Sequence, residues 1–180
     1  MNGITDEAIM ERVQSGALDE LTELFDRYQG RIYTFFLRQC RQAALAEDLC
    51  QSVFERVIKY RQSYRVENPF RTWIYQIARN LYKDHLRKNS ALFSDYTDVE
   101  ALPQDMRNSV ASAAEREQRE ALYEALEQLP PERKELLVMS KFQGLKYEEI
   151  SEITGMTVAA IKVNVHRGLK QLRTLYFATS

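Results

Sequence analysis

The sequence predicts an all-α protein of two small helical domains joined by a flexible linker, with a helix-turn-helix in the C-terminal domain. Apolar residues recur every three or four positions along most of the chain, which is the spacing of a helix that buries one face. No stretch alternates apolar and polar residues between turn dipeptides, so no sheet is expected. Residues 90–114 mix Ser, Asp, Asn and a Pro without any period, which is typical of a linker.

These boundaries give an N-terminal domain of residues 1–89, a linker of residues 90–114 and a C-terminal domain of residues 115–180. Each domain is expected to bury the apolar stripes of its own helices in a modest core. In the first domain these stripes are Leu45, Leu49, Val53 and Val57, then Phe70, Ile74, Ile77 and Leu81. In the second they are Leu122, Leu126 and Leu129, then Ile161, Val165, Leu169 and Leu172. Pro131 is expected in the first turn of a supporting helix within Leu129–Phe142.

The charge of the chain is unevenly distributed. Its 180 residues include 25 Lys and Arg against 26 Asp and Glu, for a net charge of −1. Residues 31–90 and 129–180 have net charges of +7 and +3, whereas residues 1–30 and 91–128 have −5 and −6. Two basic blocks separated by an acidic one suggest two surfaces for a polyanion with a spacer between them. The alternative is charge that only solvates the surface.

The sequence also argues against several classes of protein. No apolar stretch is long enough to cross a bilayer and the N-terminus lacks a secretory pattern, so we expect a cytoplasmic protein. His85 and His166 lie far apart, and no phosphate-binding glycine loop is present. Cys40 and Cys50 lack the spacing of a zinc site and are either a redox sensor or, more simply, buried small residues. We therefore expect no catalytic residue, metal or cofactor.

The first candidate surface lies on the helix predicted around residues 45–57. Asp48, Gln51 and Glu55 fall on one side of this helix at helical spacing. A polar, partly acidic stripe in an otherwise basic domain would suit the basic helices of a partner protein. The alternative is an ordinary solvated helix face.

The second candidate surface is the segment of residues 61–88. Cations and rings interleaved on a helix suit single-stranded nucleic acid, because cations contact phosphates and rings stack on unpaired bases. The predicted helix Phe70–Lys88 places on or beside one face Arg71, Tyr75, Arg79, Asn80 and Lys83. The loop of residues 61–69 before it, with Tyr64 and Asn68, could form a pocket for one flipped base. Alternatively, the aromatic side chains belong to the core.

The third candidate surface is a helix-turn-helix. A short helix is predicted over Tyr147–Thr154, and Gly155 ends it by supplying a left-handed turn. Thr157 then caps a longer helix that begins at Val158. The outward face and flank of that helix, which would contact base edges and phosphates of duplex DNA, carry Ala159, Lys162, Val163, His166, Arg167 and Lys170. The alternative is a basic, solvated helix in a bundle.

Five motifs in this order resemble the bacterial extracytoplasmic-function sigma factors. They are AEDLCQSVF (46–54), FRTWIYQIARN (70–80), LPPER (129–133), YEEIS (147–151) and VAAIKVNVHRG (158–168). The resemblance covers nearly the whole chain apart from the linker. It implies a promoter-specificity subunit that binds core RNA polymerase and promoter DNA. It also implies an anti-sigma factor that holds the protein inactive.

The resemblance implies a role for each candidate surface. Asp48 and Gln51, with Glu55 of the same stripe, would bind the clamp helices of the largest subunit of core polymerase. Capture and melting of the minus-ten element would fall to the loop of residues 62–69 and the helix of residues 70–88, through Tyr64, Asn68, Arg71, Tyr75, Arg79, Asn80 and Lys83. The minus-thirty-five element would be read by Thr157, Lys162, Val163, His166, Arg167 and Lys170. The acidic linker would enter the active-site cleft of the polymerase.

The sequence departs from the family pattern at three positions. The residue after the docking glutamine is usually acidic in this family and is Ser52 here. Two outward positions of the recognition helix that often hold arginine are Lys162 and Asn164. Core binding would then depend on fewer charges, and the promoter sequence cannot be carried over from the family.

Two other functions remain open at this point. A two-domain transcriptional regulator would use the helix-turn-helix on duplex DNA and the N-terminal domain as a sensor. Such proteins usually bind palindromes as dimers, and no dimerisation helix is evident. A protein that binds polymerase without touching DNA would be indifferent to the charge of Arg167.

Overall fold

The computed structural model describes residues 3–90 and 112–179, and most of these residues are helical. The helices in chain order are α1 (Asp6–Gln14), α2 (Leu21–Cys40), α3 (Ala43–Lys59), α4 (Phe70–Ser90), α5 (Ala113–Glu127), α6 (Pro131–Leu137), α7 (Tyr147–Thr154) and α8 (Val158–Thr179). Short 3-10 turns lie at Leu18–Glu20 and Arg61–Ser63, and a π-helical turn at Val138–Phe142 follows α6. No strand occurs in the described part of the chain, and the all-α prediction is confirmed.

The described residues form two compact units. One consists of residues 3–36 and 44–90, and the other of residues 37–43 and 112–179. Residues 37–43, which end α2 and begin α3, therefore group with the C-terminal helices. Residues 113 and 114, predicted as linker, form the start of α5. Ser90, also predicted as linker, ends α4, and Ser112 caps α5, so that only residues 91–111 of the predicted linker lie outside the described residues.

The core of the first unit is built from the stripes that the sequence predicts, together with aromatic rings from α2. Tyr28 packs edge-on against Phe70 with ring centroids 5.2 Å apart, and Phe35 packs against Tyr75 at 5.6 Å. The stripe residues buried here are Leu49, Val53, Val57, Phe70, Ile74 and Leu81. Burying this apolar surface is the main stabilising term, at about 25 cal/mol per Å².

Helix α1 is fixed to the first unit at its N-terminus. Thr5 Oγ1 accepts a hydrogen bond from the N–H of Ala8 at 3.2 Å and caps the helix. The carboxylate of Asp6 in the first turn accepts from Arg27 Nη1 at 2.7 Å and from the hydroxyl of Tyr28. Because both partners lie on α2, α1 is held in a fixed place against that helix.

The second unit begins with a capping box at α5. Ser112 Oγ accepts from the N–H of Glu115 at 3.3 Å, and Glu115 Oε2 accepts from the N–H of Ser112 at 2.8 Å. Pro131 starts α6, as predicted, at a position where its missing N–H costs little. At Gly168, α8 comes so close to α6 that a Cβ atom there would lie 3.2 Å from Leu137 Cδ1. This crossing brings α8 against its supporting helix.

Two cations, Lys134 and Arg41, are buried inside the second unit with their partners. Lys134 Nζ donates to Glu127 Oε1 at 2.5 Å and to the main-chain carbonyl of Gln39 at 2.8 Å. Arg41, whose φ is +52°, pairs with Glu120 at 3.2 Å. These contacts satisfy charges that would otherwise be costly to bury, and they tie residues 37–43 into this unit.

Candidate functional site

The helix-turn-helix is formed by local signals between α7 and α8. Gly155 ends α7 at a φ of +76°, a conformation that glycine adopts without a steric penalty. Thr157 Oγ1 accepts from the N–H of Ala160 at 3.2 Å and caps α8. Helix α7 has the predicted bounds, and α8 begins at the predicted residue, Val158.

Helix α8 turns its basic side to solvent. Ile161 and Val165 are buried against the rest of the unit. The residues exposed on the outward side and at the cap are Thr157, Lys162, Val163, His166, Arg167 and Lys170. Val163 is 46% exposed and apolar, so it offers a contact for a thymine methyl group beside cations that suit phosphates and guanine edges. Asn164 Nδ2 instead donates to the carbonyl of Ala160 at 2.9 Å, within its own helix.

A groove of about 450 Å³ runs along the start of α8. Three of its side chains carry the basic character predicted for this face, and two more lining residues come from other elements. Its lining residues are Lys141, Tyr147, Lys162, Val163, Val165, His166, Arg167 and Leu169. Sequence reasoning missed Lys141 and Tyr147, because the π-helical turn and α7 reach this face only through tertiary folding.

Leu169 corrects one of the predicted stripes. The sequence places it in the buried stripe of α8, but it is 37% exposed and lines the groove. It lies about 80° from Ile161 around the helix at 100° per residue, whereas Gly168 lies within about 20°. The buried position at this turn is therefore taken by Gly168, and Leu169 falls at the edge of the face.

In the first unit, the predicted minus-ten segment divides into exposed and buried parts. The loop exposes residues 65–69, where the N–H of Asn68 donates to the carbonyl of Arg65 at 2.9 Å and closes a tight turn. On α4, Asn80 and Lys83 are exposed, and Arg71 and Arg79 are half-buried. The exposed loop and these side chains of α4 form a polar surface that nucleic acid can reach.

Two of the residues predicted to contact nucleic acid, Tyr64 and Tyr75, have buried side chains. Tyr75 is only 1% exposed and packs edge-on against Phe35, and Tyr64 is 3% exposed with its ring centroid 5.0 Å from that of Trp73. The Tyr64 hydroxyl donates to the carbonyl of Asn68 at 2.5 Å, and burial raises the pKa of Tyr64. Neither ring can stack on a base without leaving the core. Both rings pack beneath the exposed surface. This agrees with the alternative interpretation of the sequence, in which the aromatic side chains belong to the core.

The polar stripe of α3 is exposed along its length. Asp48, Gln51 and Glu55 all face solvent, opposite the buried Leu49 and Val53. Ser52 between them is half-buried. The structure adds two apolar residues that the sequence analysis did not single out. Phe25 on α2 is 39% exposed with its ring 4.8 Å from that of Phe54, and Ile58 lies one turn beyond Phe54 and is also exposed. A partner helix would therefore meet both polar and apolar side chains here.

The two cysteines are desolvated thiols. Burial raises the pKa of Cys40, and it raises the pKa of Cys50 to about 11. Their sulfurs donate weakly to the carbonyls of Gln42 and Gln29 at 3.5 Å. Thiols that stay protonated at neutral pH react slowly, which favours the simpler prediction of buried small residues.

The described residues contain no cluster of His, Cys, Asp and Glu that would hold a metal ion. They also contain no helix whose length and hydropathy would let it cross a bilayer.

Comparison with known families gives two matches in chain order. The family described as Sigma-70 region 2 matches residues 24–92, and the family described as Sigma-70, region 4 matches residues 119–172. Among curated proteins, the RNA polymerase sigma factor CarQ of Myxococcus xanthus is 36% identical over 169 residues, covering 92% of this chain and 94% of that protein. The ECF RNA polymerase sigma factor SigE of Mycolicibacterium smegmatis is 32% identical, covering 87% of this chain and 62% of that protein.

Solved structures share the fold. CnrH, solved with the cytosolic domain of CnrY, superposes with a TM-score of 0.75 at 19% identity, covering 97% of this chain and 99% of that one. The sigma factor RpoE of Bartonella quintana, solved with the anti-sigma factor NepR, gives 0.71 at 18% identity, covering 87% and 96%.

Proposed function

Since the chain belongs to the extracytoplasmic-function sigma factors of bacterial RNA polymerase, we propose that its three exposed surfaces divide the work of promoter recognition. Membership makes the protein a transcription-initiation subunit and not an enzyme, and it replaces the alternative of a regulator that never acts as a sigma subunit. One observation carries the proposal. Both sigma-70 regions match in order, and each contains an exposed polar surface: α3 and the loop in region 2, α8 in region 4.

The stripe Asp48, Gln51 and Glu55 binds the basic clamp helices of core polymerase. Its carboxylates are already exposed to solvent in the free protein, so they are accessible to the cations of a partner. Phe25 and Ile58 supply apolar area beside it, which adds affinity that is independent of salt.

The loop of residues 65–69 and the outer side of α4 take the melted minus-ten strand. Asn68 and Asn80 offer amide groups to base edges, and Lys83, with the half-buried Arg71 and Arg79, supplies positive charge for phosphates. The buried rings of Tyr64 and Tyr75 act only as supports. Base selection then depends on the shape of the loop more than on stacking.

Helix α8 enters the major groove at the minus-thirty-five element. Lys162, His166 and Arg167 contact phosphates and base edges, and Val163 contacts a thymine methyl group. Thr157 and Lys170 lie at either end of the exposed face, where they suit phosphates. Lys141 and Tyr147 form the other wall of the groove and suit the same backbone.

We further propose a cytoplasmic protein that an anti-sigma factor holds inactive. A related fold was solved bound to the anti-sigma factor NepR, and the exposed apolar residues beside the α3 stripe suit a protein partner. Co-expression with a candidate inhibitor should silence a reporter promoter that the chain activates on its own. Full activity in every combination with the candidates would contradict this part of the proposal.

The first experiment is reconstitution with core RNA polymerase. The purified chain should co-elute with core enzyme below about 1 µM and open a selected promoter, seen as permanganate-reactive thymines in the minus-ten element. Replacing Asn80 by Ala should reduce opening without reducing co-elution. Failure to bind core enzyme, while the chain still binds duplex DNA, would refute the proposed function.

A further inference from the structure

The proposed function gives helix α1 no task, yet side chains of α1 hydrogen-bond directly to the loop of residues 61–69, called the minus-ten loop here. The carboxamide of Gln14, at the end of α1, donates from Nε2 to the carbonyl of Arg61 at 2.8 Å and to that of Tyr64 at 2.6 Å. Both hydrogens of one amide are thus used on two carbonyls of the same loop. In return, Gln62 Nε2 donates to the main-chain carbonyl of Gln14 at 2.9 Å.

The same helix holds the other end of the loop. Glu7 Oε1 accepts from the N–H of Phe70, the first residue of α4, at 2.9 Å. Glu7 and Gln14 are seven residues apart, which is two helical turns, so their side chains lie on one face of α1. The exposed residues 65–69 therefore lie between Tyr64 and Phe70, and both of these residues are hydrogen-bonded to side chains of α1.

The position of α1 is itself determined by buried contacts. Ile9, Met10 and Val13 are buried in the core, and Asp6 is bonded to Arg27 and Tyr28. Within the loop, the hydroxyl of Tyr64 and the N–H of Asn68 fix the turn. The hydrogen bonds of Gln14 connect this turn to the core, since they end on the carbonyl of Tyr64 itself.

We propose that Gln14 is a positioning residue for base selection in the minus-ten element, acting through the main-chain carbonyls of Arg61 and Tyr64. The proposal rests on the proposed function, because it takes the loop to be the surface that holds an unpaired base. A pocket formed by a short loop discriminates between bases only if its main chain is held to within a fraction of an ångström. Removing the carboxamide frees the loop to shift, so that bases are bound less selectively.

The test compares substitutions at two neighbouring positions of α1 in the reconstituted holoenzyme. Gln14→Leu and Gln14→Glu each remove the amide donors, and the second keeps length and polarity in case the first does not fold. Val13→Ala is the matched control, because it removes buried methyl groups from the same helix and leaves the hydrogen bonds to the loop in place. The wild-type preference at each minus-ten position is first established with a randomised single-stranded library.

We expect both Gln14 variants to reduce discrimination between the preferred and the other bases by about tenfold at one or two adjacent positions, with unchanged affinity for core polymerase. A tenfold change corresponds to about 1.4 kcal/mol, in the range of the two lost hydrogen bonds. Val13→Ala should lower the melting temperature and keep the wild-type preference. If the Gln14 variants lose stability as Val13→Ala does but keep full discrimination, the positioning role is refuted. A wild-type holoenzyme without any minus-ten preference would instead refute the proposed function.

Discussion

The carboxylate of Glu7 caps a helix to which it does not belong, since its Oε1 atom accepts the N–H of Phe70, the first residue of α4, at 2.9 Å. Phe70 follows Pro69, which has no polar side chain to offer this N–H. The cap therefore comes from 63 residues earlier in the chain. A negative charge at this position also interacts favourably with the helix dipole.

Removing this cap should destabilise the first unit locally. We expect Glu7→Ala to lower the free energy of unfolding by about 1 kcal/mol, or roughly 4–8 °C in melting temperature for a domain of this size. Glu11→Ala is the control, because Glu11 is an exposed acid on the same helix. Amide hydrogen exchange at Phe70 should accelerate in the first variant and not in the second. Equal exchange rates in both would show that the hydrogen bond contributes nothing.

Reversing the charge of Arg167 should weaken duplex binding specifically. Arg167→Glu places a negative charge on the exposed face of α8, and we expect a loss of about 10- to 100-fold in affinity for a minus-thirty-five duplex, together with a shallower salt dependence. Arg116→Glu makes the same change at an exposed position of α5 and should have little effect. Fluorescence anisotropy over a range of salt concentrations gives both quantities. An unchanged affinity would favour a protein that binds polymerase without touching DNA.

The affinity for core polymerase should fall when negative charge is removed from α3 and rise when negative charge is added. Glu55→Lys is expected to weaken core binding about tenfold, whereas Glu117→Lys on α5 is the control and should not. Ser52→Glu introduces a further acid next to Gln51, and it should strengthen binding several-fold. Competition between these variants and labelled wild-type chain for core enzyme measures the differences. Weaker binding by Ser52→Glu would mean that this half-buried position faces away from the polymerase.

The helix-turn-helix could be predicted from sequence because its signals are local. Gly155 ends α7 through a left-handed turn, and Thr157 caps α8 through a hydrogen bond to a residue three positions later. One short stretch of sequence contains both signals. The helical period likewise identified the buried sides of α3 and α4. Predicting these features requires no knowledge of the tertiary contacts.

The errors arise where burial is decided by tertiary contacts. A helical wheel puts Tyr75 with Arg71 and Arg79, but α2 covers that part of α4 and encloses the ring against Phe35. Tyr64 is in a polar loop and still buried, because Phe70 and Trp73 fold over it. The contacts of Gln14 lie 47 and 50 residues away in the chain, so no local pattern could have indicated them.

Alkaline pH should destabilise the first unit through groups that are more acidic when unfolded. Burial raises the pKa of Cys50 from 9.0 to about 11, and burial with the nearby Asp6 carboxylate raises the pKa of Tyr28. A group whose pKa is raised in the folded state keeps its proton longer there than in the unfolded chain. Its contribution is complete below the unfolded pKa and is lost as pH rises towards the folded pKa.

For Cys50 this window runs from pH 9 to about 11, and each unit of pH within it should cost up to about 1.4 kcal/mol. Melting temperatures between pH 8 and pH 11 should therefore fall in the wild-type chain. Cys50→Ala removes this ionisation, so its melting temperature should start lower, because a buried sulfur is lost, but decline less steeply above pH 9. Parallel declines in the two proteins would mean that Cys50 ionises in the folded state as readily as in the unfolded one.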